Sequence, residues 1–357
     1  MRVAFVAPLV TTIAEPQLGG SQALLADLAA GLTVRGHEVD VFAASGSRIE
    51  GANVVDTGID PSMLAATFFR ASEDVRDFDI ARDAFAHVYG LVRARAYDVV
   101  HNHAFDVPAI DLGPDDVPVV HTLHLPPAPA IAEAAADARA RNPRTTVACV
   151  SEHGARTWGV LTDVDVVLRN GVPVDRIPFS SEGGAGLLFA GRFSPEKGAA
   201  EAIEIALGAR VPITVVGNAY DAAYARERID PFRDADGVTV VPALTRRDLW
   251  SLMAGSRAVL CPIGWDEPFG LVGAEAQAAG TPVIAFDRGA MREVIDDGRT
   301  GRLVAGVAGA VEAVGTISEL DRAACRAHAE RDLDVSASLD AHEALYASLV
   351  GAATGAG

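Results

Sequence analysis

Residues 258–275 read Ala-Val-Leu-Cys-Pro-Ile-Gly-Trp-Asp-Glu-Pro-Phe-Gly-Leu-Val-Gly-Ala-Glu. Ala258–Pro262 is a short apolar run, which predicts a buried strand. Gly270–Ala279 follows a polar turn, and its apolar residues recur at the spacing of one helical face. A strand, a tight turn and a helix in immediate succession are typical of α/β proteins, in which helices connect parallel strands.

The same order of elements fills the first half of the chain. Val3–Pro8 is predicted to be a strand, Gln22–Arg35 a helix that Gly36 ends, and Glu38–Ala43 the next strand. Further strands are predicted at Tyr97–His101, Pro118–His121 and Thr146–Val150. Such alternation predicts a parallel sheet that is covered by helices on both faces.

The pattern restarts after Asn170–Ser181, a proline-containing stretch that we interpret as a linker. Strands are predicted at Leu187–Gly191, Ile213–Gly217, Val238–Pro242, Ala258–Pro262 and Pro282–Phe286. The predicted fold class is therefore α/β with two doubly wound domains. Ligands of such folds bind at the carboxyl ends of the strands, so the expected site is the cleft between the two domains.

The charge balance restricts the class of ligand. The chain has 357 residues, of which 48 are acidic and 30 basic, and its formal charge is −18. The length fits two domains of about 150–200 residues. The excess of negative charge argues against a nucleic-acid-binding protein, because contacts to a phosphate backbone need a basic face. Of the 30 basic residues, 29 are arginine and one, Lys197, is lysine.

Cysteine usage and hydropathy predict the location. Cys149, Cys261 and Cys325 lie far apart with no CxxC pair, so neither a disulfide framework nor a zinc site is indicated. No run of roughly 18 uncharged apolar residues suggests a membrane span, and the N-terminus lacks the long apolar region of a signal peptide. We therefore expect a cytoplasmic protein.

Glu267 and Glu275 place two carboxylates around the predicted start of a helix. The unpaired backbone N–H groups of a helix N-terminus and the helix dipole together form an anion site. Carboxylates that accept hydrogen bonds from hydroxyls suit a sugar or a ribose. The alternative is a capping acid followed by an exposed helical glutamate, and the pair by itself does not decide between the two interpretations.

The segment Gly191-Arg-Phe-Ser-Pro-Glu-Lys-Gly198 is a second turn between a strand and a helix. Arg192 offers a planar fork and Lys197 a compact charge, a combination that suits a diphosphate. The Gly-Lys-Ser/Thr of a Walker loop is absent. The alternative is an ordinary surface turn, but the single lysine of the chain lies in this segment, which favours a position where arginine does not fit.

Two weaker signals lie in the first half. Gly19-Gly20 stands where dinucleotide-binding proteins carry a glycine fingerprint, which is missing here, although a Gly-Gly pair lets backbone approach a ligand closely. His101, His103, His121 and His124 lie at or just after the ends of two predicted strands. Because no convincing set of carboxylate partners accompanies them, no metal site is predicted.

Together these motifs resemble the family 4 retaining glycosyltransferases, which have the GT-B architecture of two Rossmann-like domains. The resemblance covers nearly the whole chain. Its most specific part is Glu267–Glu275 with the trailing Ala279-Gly-Thr-Pro-Val283. Supporting pieces are Gly19-Gly20, Arg35-Gly-His-Glu-Val39, His121-Thr-Leu-His124, Asn170-Gly-Val172, Gly191–Gly198 and Gly301-Arg-Leu-Val304. It implies an acceptor domain at 1–172, a nucleotide-sugar domain at 173–334, and a helix at 335–350 that returns to the first domain.

The resemblance also implies the charged residues that act on the donor. Arg192 and Lys197 would hold the diphosphate and stabilise the charge that develops on the leaving group. Glu267 would hold hydroxyls of the donor sugar, and Glu275 would bind the ribose. His124 would contact the donor sugar from the other domain. The expected catalytic residues are thus His124, Arg192, Lys197 and Glu267.

The remaining donor contacts implied by the resemblance come largely from backbone. Phe269, Gly270 and Leu271 would hold the sugar and the phosphate. Gly19 and Gly20 would lie against the diphosphate. The backbone from Val241 to Leu244 would face the base.

The activity that the resemblance implies is transfer of a sugar from a nucleotide-diphosphate sugar to an acceptor hydroxyl, with retention of anomeric configuration. No metal or other cofactor is expected, and the protein is expected to be a monomer or a weak homodimer. The acceptor would be a sugar or a natural product, as in orthosomycin antibiotics of the avilamycin type. Gln22, Pro173 and Ala290 depart from the family pattern and leave the sugar and the acceptor open.

Two other functions fit the same architecture. A nucleotide-sugar 2-epimerase would convert the donor without an acceptor. A non-catalytic protein that only binds a nucleotide sugar would keep the fold without turnover, but the intact set of Arg192, Lys197, Glu267 and Glu275 argues against it. A dehydrogenase is disfavoured, because the dinucleotide fingerprint is missing.

Overall fold

The computed structural model describes residues 1–17, 19–64 and 75–354, with side chains from residue 79 to 351 in the last range. The chain forms two compact units. The first unit consists of Met1–Ala14, Ser21–Arg169 and Ser336–Gly357, and the second of Glu15–Gly20 and Asn170–Val335. Each unit contains one parallel sheet.

The first unit has a seven-stranded sheet. Its strands are β1 (Arg2–Val6), β2 (Glu38–Ala43), β3 (Asn53–Asp56), β4 (Val99–Asn102), β5 (Val119–Leu123), β6 (Thr145–Cys149) and β7 (Val166–Val167). Their order is β3-β2-β1-β4-β5-β6-β7, so the direction of winding reverses between β1 and β4. The sequence patterns predict all of these strands except the short β3 and β7.

The second unit has a six-stranded sheet. Its strands are β8 (Leu187–Ala190), β9 (Ile213–Val216), β10 (Val238–Val241), β11 (Ala258–Cys261), β12 (Val283–Phe286) and β13 (Gly301–Val304). Their order is β10-β9-β8-β11-β12-β13, and here the winding reverses between β8 and β11. Two doubly wound parallel sheets confirm the predicted α/β fold class.

Helices connect the strands in both units. Those of the first unit are α1 (Gly20–Val34), α2 (Val75–Arg93), α3 (Val107–Asp111), α4 (Pro129–Arg141) and α5 (Glu152–Trp158). In the second unit they are α6 (Ala199–Ala209), α7 (Ala222–Tyr224), α8 (Arg246–Ala254), α9 (Leu271–Ala278), α10 (Met291–Val294), α11 (Val307–Thr316) and α12 (Arg322–His328). The last helix is α13 (Val335–Thr354). In the part of the chain that is described, no helix has the length and apolar character needed to cross a membrane.

The last helix completes the first unit. Arg35 donates hydrogen bonds to Asp340 and Glu343, each with an N···O distance of 2.6 Å. Tyr346 is fully buried, and its hydroxyl lies 2.5 Å from Nδ1 of His101 in β4. The core of the first unit is therefore built from both ends of the chain.

Arg322 at the start of α12 is a buried cation that ties several loops of the second unit together. Its guanidinium donates to the carbonyl oxygens of Ser180, Ala254 and Ser256 at 2.8–3.0 Å and to the Thr281 hydroxyl at 2.7 Å. Burial lowers the pKa of Arg322 from its ordinary value. The partners that the structure shows for this charge are thus carbonyl dipoles and one hydroxyl.

We expect the substitution Arg322→Leu to destabilise the second unit by about 3 kcal/mol or more, because it leaves several buried carbonyls without a donor. Chemical denaturation followed by circular dichroism measures the loss. Arg299→Leu is the matched control. The side chain of Arg299 is 58% exposed and faces Asp296 at 3.6 Å, so its removal should cost less than about 1 kcal/mol. Equal losses for the two variants would contradict the role given to Arg322.

Candidate functional site

The pairing of β8 with β11 brings two loops of the second unit together. Ala258 and Val259 of β11 lie beside Leu187 and Leu188 of β8, so the loops that leave these parallel strands emerge side by side. This is the point where the winding reverses, and ligands of doubly wound sheets bind at such points. The first loop carries Arg192 and Lys197 and the second carries Glu267.

Lys197 and Glu267 form an ion pair across these two loops. The distance from Nζ to Oε2 is 2.7 Å, and the two side chains are 23% and 12% exposed. The indole of Trp265 donates from Nε1 to the same oxygen at 2.8 Å. Its ring centroid lies 5.1 Å from the Lys197 ammonium. The single lysine of the chain therefore lies in a partly enclosed cluster rather than on an ordinary surface turn.

Glycine at position 198 allows the Lys197 loop to approach its neighbour. Pro195–Lys197 forms a single 3₁₀ turn, and Gly198 follows with a φ of 76°. A Cβ at this position would lie 2.1 Å from the carbonyl oxygen of Pro262. A side chain here would therefore push the two loops apart and separate the ammonium from the carboxylate.

Arg192 lies in the same loop but has a different carboxylate partner. Its Nη2 lies 3.2 Å from Oε1 of Glu196, which also accepts a hydrogen bond from the Ser194 hydroxyl at 2.7 Å. Its guanidinium carbon lies 4.4 Å from the ring centroid of Tyr220. Arg192 Nε is buried and has no hydrogen-bond partner among the described residues.

The backbone around Glu267 is held by a neighbouring turn. The N–H of Ala290 donates to the Glu267 carbonyl at 2.8 Å. Gly289 has a φ of 59°, and a Cβ there would lie 2.3 Å from the backbone N and O of Glu267. Glu267 thus depends on a glycine at position 289 for its place.

The end of the same loop forms the N-terminus of α9. Gly270 caps the helix with a φ of 100°, and Phe269 beside it is buried. Helix α9 then begins at Leu271. The predicted donor-binding residues Phe269, Gly270 and Leu271 therefore lie two to four positions after Glu267, where helical N–H groups lack helical partners.

Glu275 lies on the second turn of α9 and is only 5% exposed. Arg246 at the start of α8 donates to its Oε1 from Nε at 3.3 Å and from Nη2 at 3.0 Å. The guanidinium carbon of Arg246 also lies 4.7 Å from the ring centroid of Trp250. The alternative interpretation of Glu275 as an exposed helical glutamate is therefore wrong.

The remaining predicted donor contacts of the second unit are more dispersed. Gly20 lies close to α9, because a Cβ there would be 2.9 Å from Cδ1 of Leu271. Gly19 beside it is half-buried, as is Leu244. Ala243, next to Leu244, already donates its N–H to Oδ1 of Asn218 at 3.1 Å.

His124 belongs to the first unit, where it joins a buried stack of imidazoles at the carboxyl ends of β4 and β5. His103 Nδ1 lies 3.1 Å from His124 Nε2. The ring of His103 stacks on that of His101 with centroids 4.0 Å apart, and His342 of α13 extends the stack at 5.6 Å from His101. His103 Nε2 has no hydrogen-bond partner among the described residues.

Burial keeps these histidines neutral. Desolvation lowers the pKa of His124 and of His342 to about 4. It also holds the pKa of His101 and of His103 well below 6.5, and neighbouring imidazoles add to the effect. Over the part of the chain that is described, no group of three or more histidine, cysteine or carboxylate side chains is arranged to hold a metal ion.

Some residues that contact the predicted site residues are not themselves predicted as site residues, among them Tyr220, Arg246 and Trp265. Arg246 binds Glu275, Tyr220 stacks on Arg192, and Trp265 contacts both Lys197 and Glu267. Trp265 carries a usable signal, since it lies two residues before Glu267 in the most specific motif. No sequence signal distinguishes Arg246, because the chain has 28 other arginines with the same chemistry.

The histidine stack predicts a loss of stability in mild acid. The folded pKa of His342 lies below its unfolded value near 6.5, so the unfolded state binds the proton first, and stability falls as the pH drops from about 6.5 towards 4. We expect His342→Gln to weaken this dependence by up to about 1.4 kcal/mol per pH unit. Urea denaturation between pH 7.5 and 4.5 measures the slope for both proteins.

The comparison with wild type removes the contribution of groups that both proteins share. Asp106 is one such group, because burial raises its pKa to about 6 and it titrates in the opposite sense. Identical slopes for wild type and His342→Gln would show that His342 is not held neutral by the fold.

Two family models match the sequence in consecutive segments. The model of Glycosyltransferase Family 4 matches residues 18–176. The model of Glycosyl transferases group 1 matches residues 175–323. The two matches together extend over most of the chain.

Individual relatives agree with these matches. The chain is 30% identical over 362 residues to D-inositol 3-phosphate glycosyltransferase of Xylanimonas cellulosilytica, covering 85% of each protein. It is 28% identical over 333 residues to glycogen synthase of Mycobacterium tuberculosis, covering 78% of this chain and 80% of the relative. The crystal structure of AviGT4, a glycosyltransferase involved in avilamycin A biosynthesis, matches 98% of each chain with a TM-score of 0.68 and 20% identity. The chain therefore belongs to the family 4 glycosyltransferases and has their GT-B fold of two Rossmann-like units.

Proposed function

We propose that the second unit binds a nucleotide-diphosphate sugar and that the protein transfers the sugar to an acceptor hydroxyl with retention of configuration. The observation that carries this proposal is the Lys197–Glu267 ion pair, which lies directly before the N-terminus of α9. A diphosphate needs cations and N–H donors, and sugar hydroxyls need an acceptor. This one loop pair offers all of them.

The cations would act on the leaving group. When the bond between the anomeric carbon and the phosphate oxygen breaks, negative charge develops on the nucleoside diphosphate. Arg192 and Lys197 are both partly buried, so their charges would act with less screening than on an open surface. The N–H groups at the start of α9 would add a second source of positive potential. In this proposal no metal or cofactor is required for transfer.

Glu267 and Glu275 would bind different parts of the donor. Glu267 lies beside the proposed diphosphate ligand Lys197 and would accept hydrogen bonds from the sugar hydroxyls. Glu275 lies in α9, four residues after Leu271, and is paired with Arg246. Its carboxylate would accept hydrogen bonds from the ribose hydroxyls. Gly19 and Gly20 would pass close to the diphosphate, and the chain around Leu244 would face the base.

Other parts of the prediction rest on the family resemblance. His124 is proposed to contact the donor sugar, and a sugar or a natural product is the proposed acceptor. The relatives are named glycogen synthase and D-inositol 3-phosphate glycosyltransferase, and AviGT4 is involved in avilamycin A biosynthesis. A role in natural-product or glycoconjugate biosynthesis, in the cytoplasm and as a monomer or weak homodimer, remains our proposal for this chain.

The decisive experiment is a calorimetric binding screen of UDP-, GDP-, dTDP- and ADP-sugars, followed by transfer assays with the tightest ligand. NMR of the product should give the same anomeric configuration as the donor. Inverted product would overturn retention. Conversion of the donor without an acceptor would favour the 2-epimerase, and binding without any turnover would favour the non-catalytic alternative.

We expect Lys197→Ala to weaken binding of the donor about 10- to 100-fold and to lower transfer by about 100-fold or more, because it removes a charge-assisted contact to the diphosphate. Calorimetry and initial rates measure the two effects. Arg226→Ala is the control, since the side chain of Arg226 is 68% exposed in the same unit and pairs with Glu227. Unchanged turnover in Lys197→Ala would remove Lys197 from the mechanism.

The variant Lys197→Arg tests why the chain has lysine here. The ammonium lies 2.7 Å from Glu267 and 5.1 Å from the Trp265 ring, and a longer planar guanidinium does not reproduce both distances. We expect kcat to fall about tenfold while the melting temperature stays close to that of wild type. Full activity would mean that the single lysine has no special function.

A further inference from the structure

Trp265 is the one aromatic residue that contacts both members of the central ion pair within the described part of the chain. It lies in the loop between β11 and α9, half-buried. Its indole Nε1 donates to Oε2 of Glu267 at 2.8 Å, and its ring centroid lies 5.1 Å from Nζ of Lys197. The N–H of this side chain thus contacts the carboxylate of the pair, and its ring contacts the ammonium.

The two donors converge on a single carboxylate oxygen. Lys197 Nζ and Trp265 Nε1 lie 2.7 and 2.8 Å from Oε2 of Glu267, and Oε1 takes part in neither bond. Without the indole, the carboxylate could rotate to offer either oxygen to the ammonium. The indole therefore fixes which oxygen faces Lys197 and which remains available on the other side.

The chemistry of an indole suits this task. Its N–H is a donor only, so it orients a carboxylate without competing for protons. Its ring face carries negative potential and attracts an ammonium, which a purely hydrogen-bonding side chain does not do. Phenylalanine would keep the ring but lose the donor, and leucine would lose both, so the two contacts can be separated by substitution.

We propose that Trp265 is a positioning residue that orients the Glu267 carboxylate toward the donor sugar and steadies Lys197 for the diphosphate. The inference rests on the proposed function of this site and goes beyond it. It predicts that the indole N–H matters for the sugar part of the donor. The ring matters for the nucleoside diphosphate.

Calorimetry separates the role of the indole N–H from that of the ring. Without an acceptor present, the affinity for the whole donor can be compared with the affinity for its nucleoside diphosphate. The probes are UDP-glucose and UDP, or the guanosine, thymidine or adenosine counterparts if the screen above selects them. We expect Trp265→Phe to bind the whole donor about tenfold more weakly than wild type, with affinity for the nucleoside diphosphate changed by less than about twofold. Trp265→Leu should weaken the nucleoside diphosphate as well, by about threefold.

A double-mutant cycle with Glu267→Gln distinguishes positioning from a merely structural role. If Trp265 acts through the Glu267 carboxylate, adding Trp265→Phe to Glu267→Gln should change donor affinity by less than about twofold. If Trp265 only maintains the loop, its cost should be the same in both backgrounds. Where turnover is measurable, kcat of the same four proteins gives a second cycle. Thermal melting identifies any variant that fails to fold.

The outcomes separate this inference from the proposed function. A wild-type protein that binds none of the nucleotide sugars would overturn the proposed function. A wild type that binds and transfers, together with a Trp265→Phe variant of unchanged donor affinity, would overturn the role of Trp265 alone. A double-mutant cycle in which the effects of Trp265→Phe and Glu267→Gln on donor affinity are additive would also overturn the role of Trp265.

Discussion

The pairing of β8 with β11 is the contact on which the candidate site of the second unit depends. The paired residues of these strands, such as Val259 and Leu188, are 71 positions apart in the sequence, and yet the loops that follow the strands emerge side by side. Gly198 and Gly289 then let backbone approach within a distance that any Cβ would prevent. The ion pair between Lys197 and Glu267 is thus a consequence of sheet topology and of two glycines, and local sequence alone does not produce it.

Charge compensation is the second organising feature of the second unit. Several cations near the site have a carboxylate partner: Arg192 pairs with Glu196, Lys197 with Glu267, and Arg246 with Glu275. Partly buried charges of one sign would be costly without such partners. A diphosphate that binds here must therefore compete with carboxylates already present. In the proposed complex, a diphosphate bound to Lys197 would leave the Glu267 carboxylate free for the uncharged part of the same ligand.

The sequence predicts the fold well where strands are apolar and buried on both faces, as in β8, β11 and β12. It misses β3, whose residues Asn53–Asp56 are partly exposed, and β7, which has two residues. Periodicity has nothing to detect in elements so short or so exposed. The sequence patterns also miss β13 (Gly301–Val304), although its residues belong to a motif of the family resemblance.

For the site, composition alone singles out Lys197, and the motif spacing singles out Glu267. The sequence does not predict which side chains contact these residues. Which arginine reaches Glu275 depends on the packing of α8 against α9, and the burial of Glu275 depends on the same packing. The paired carboxylate of Arg192 lies four residues away in its own loop, but the ring of Tyr220 comes from the segment after β9. Such contacts follow from three-dimensional packing, which single-sequence patterns do not encode.

The division of the first unit into segments from both ends of the chain has a consequence for biosynthesis. During translation, Ser21–Arg169 leaves the ribosome long before Ser336, so α13 is missing while the rest of this unit is already made. Until then His101 lacks two contacts of the complete unit, the Tyr346 hydroxyl and the ring of His342. The nearly continuous second unit can reach its final state earlier. Most of the first unit is therefore synthesised before the second, but the second unit is the first whose residues are all available for folding.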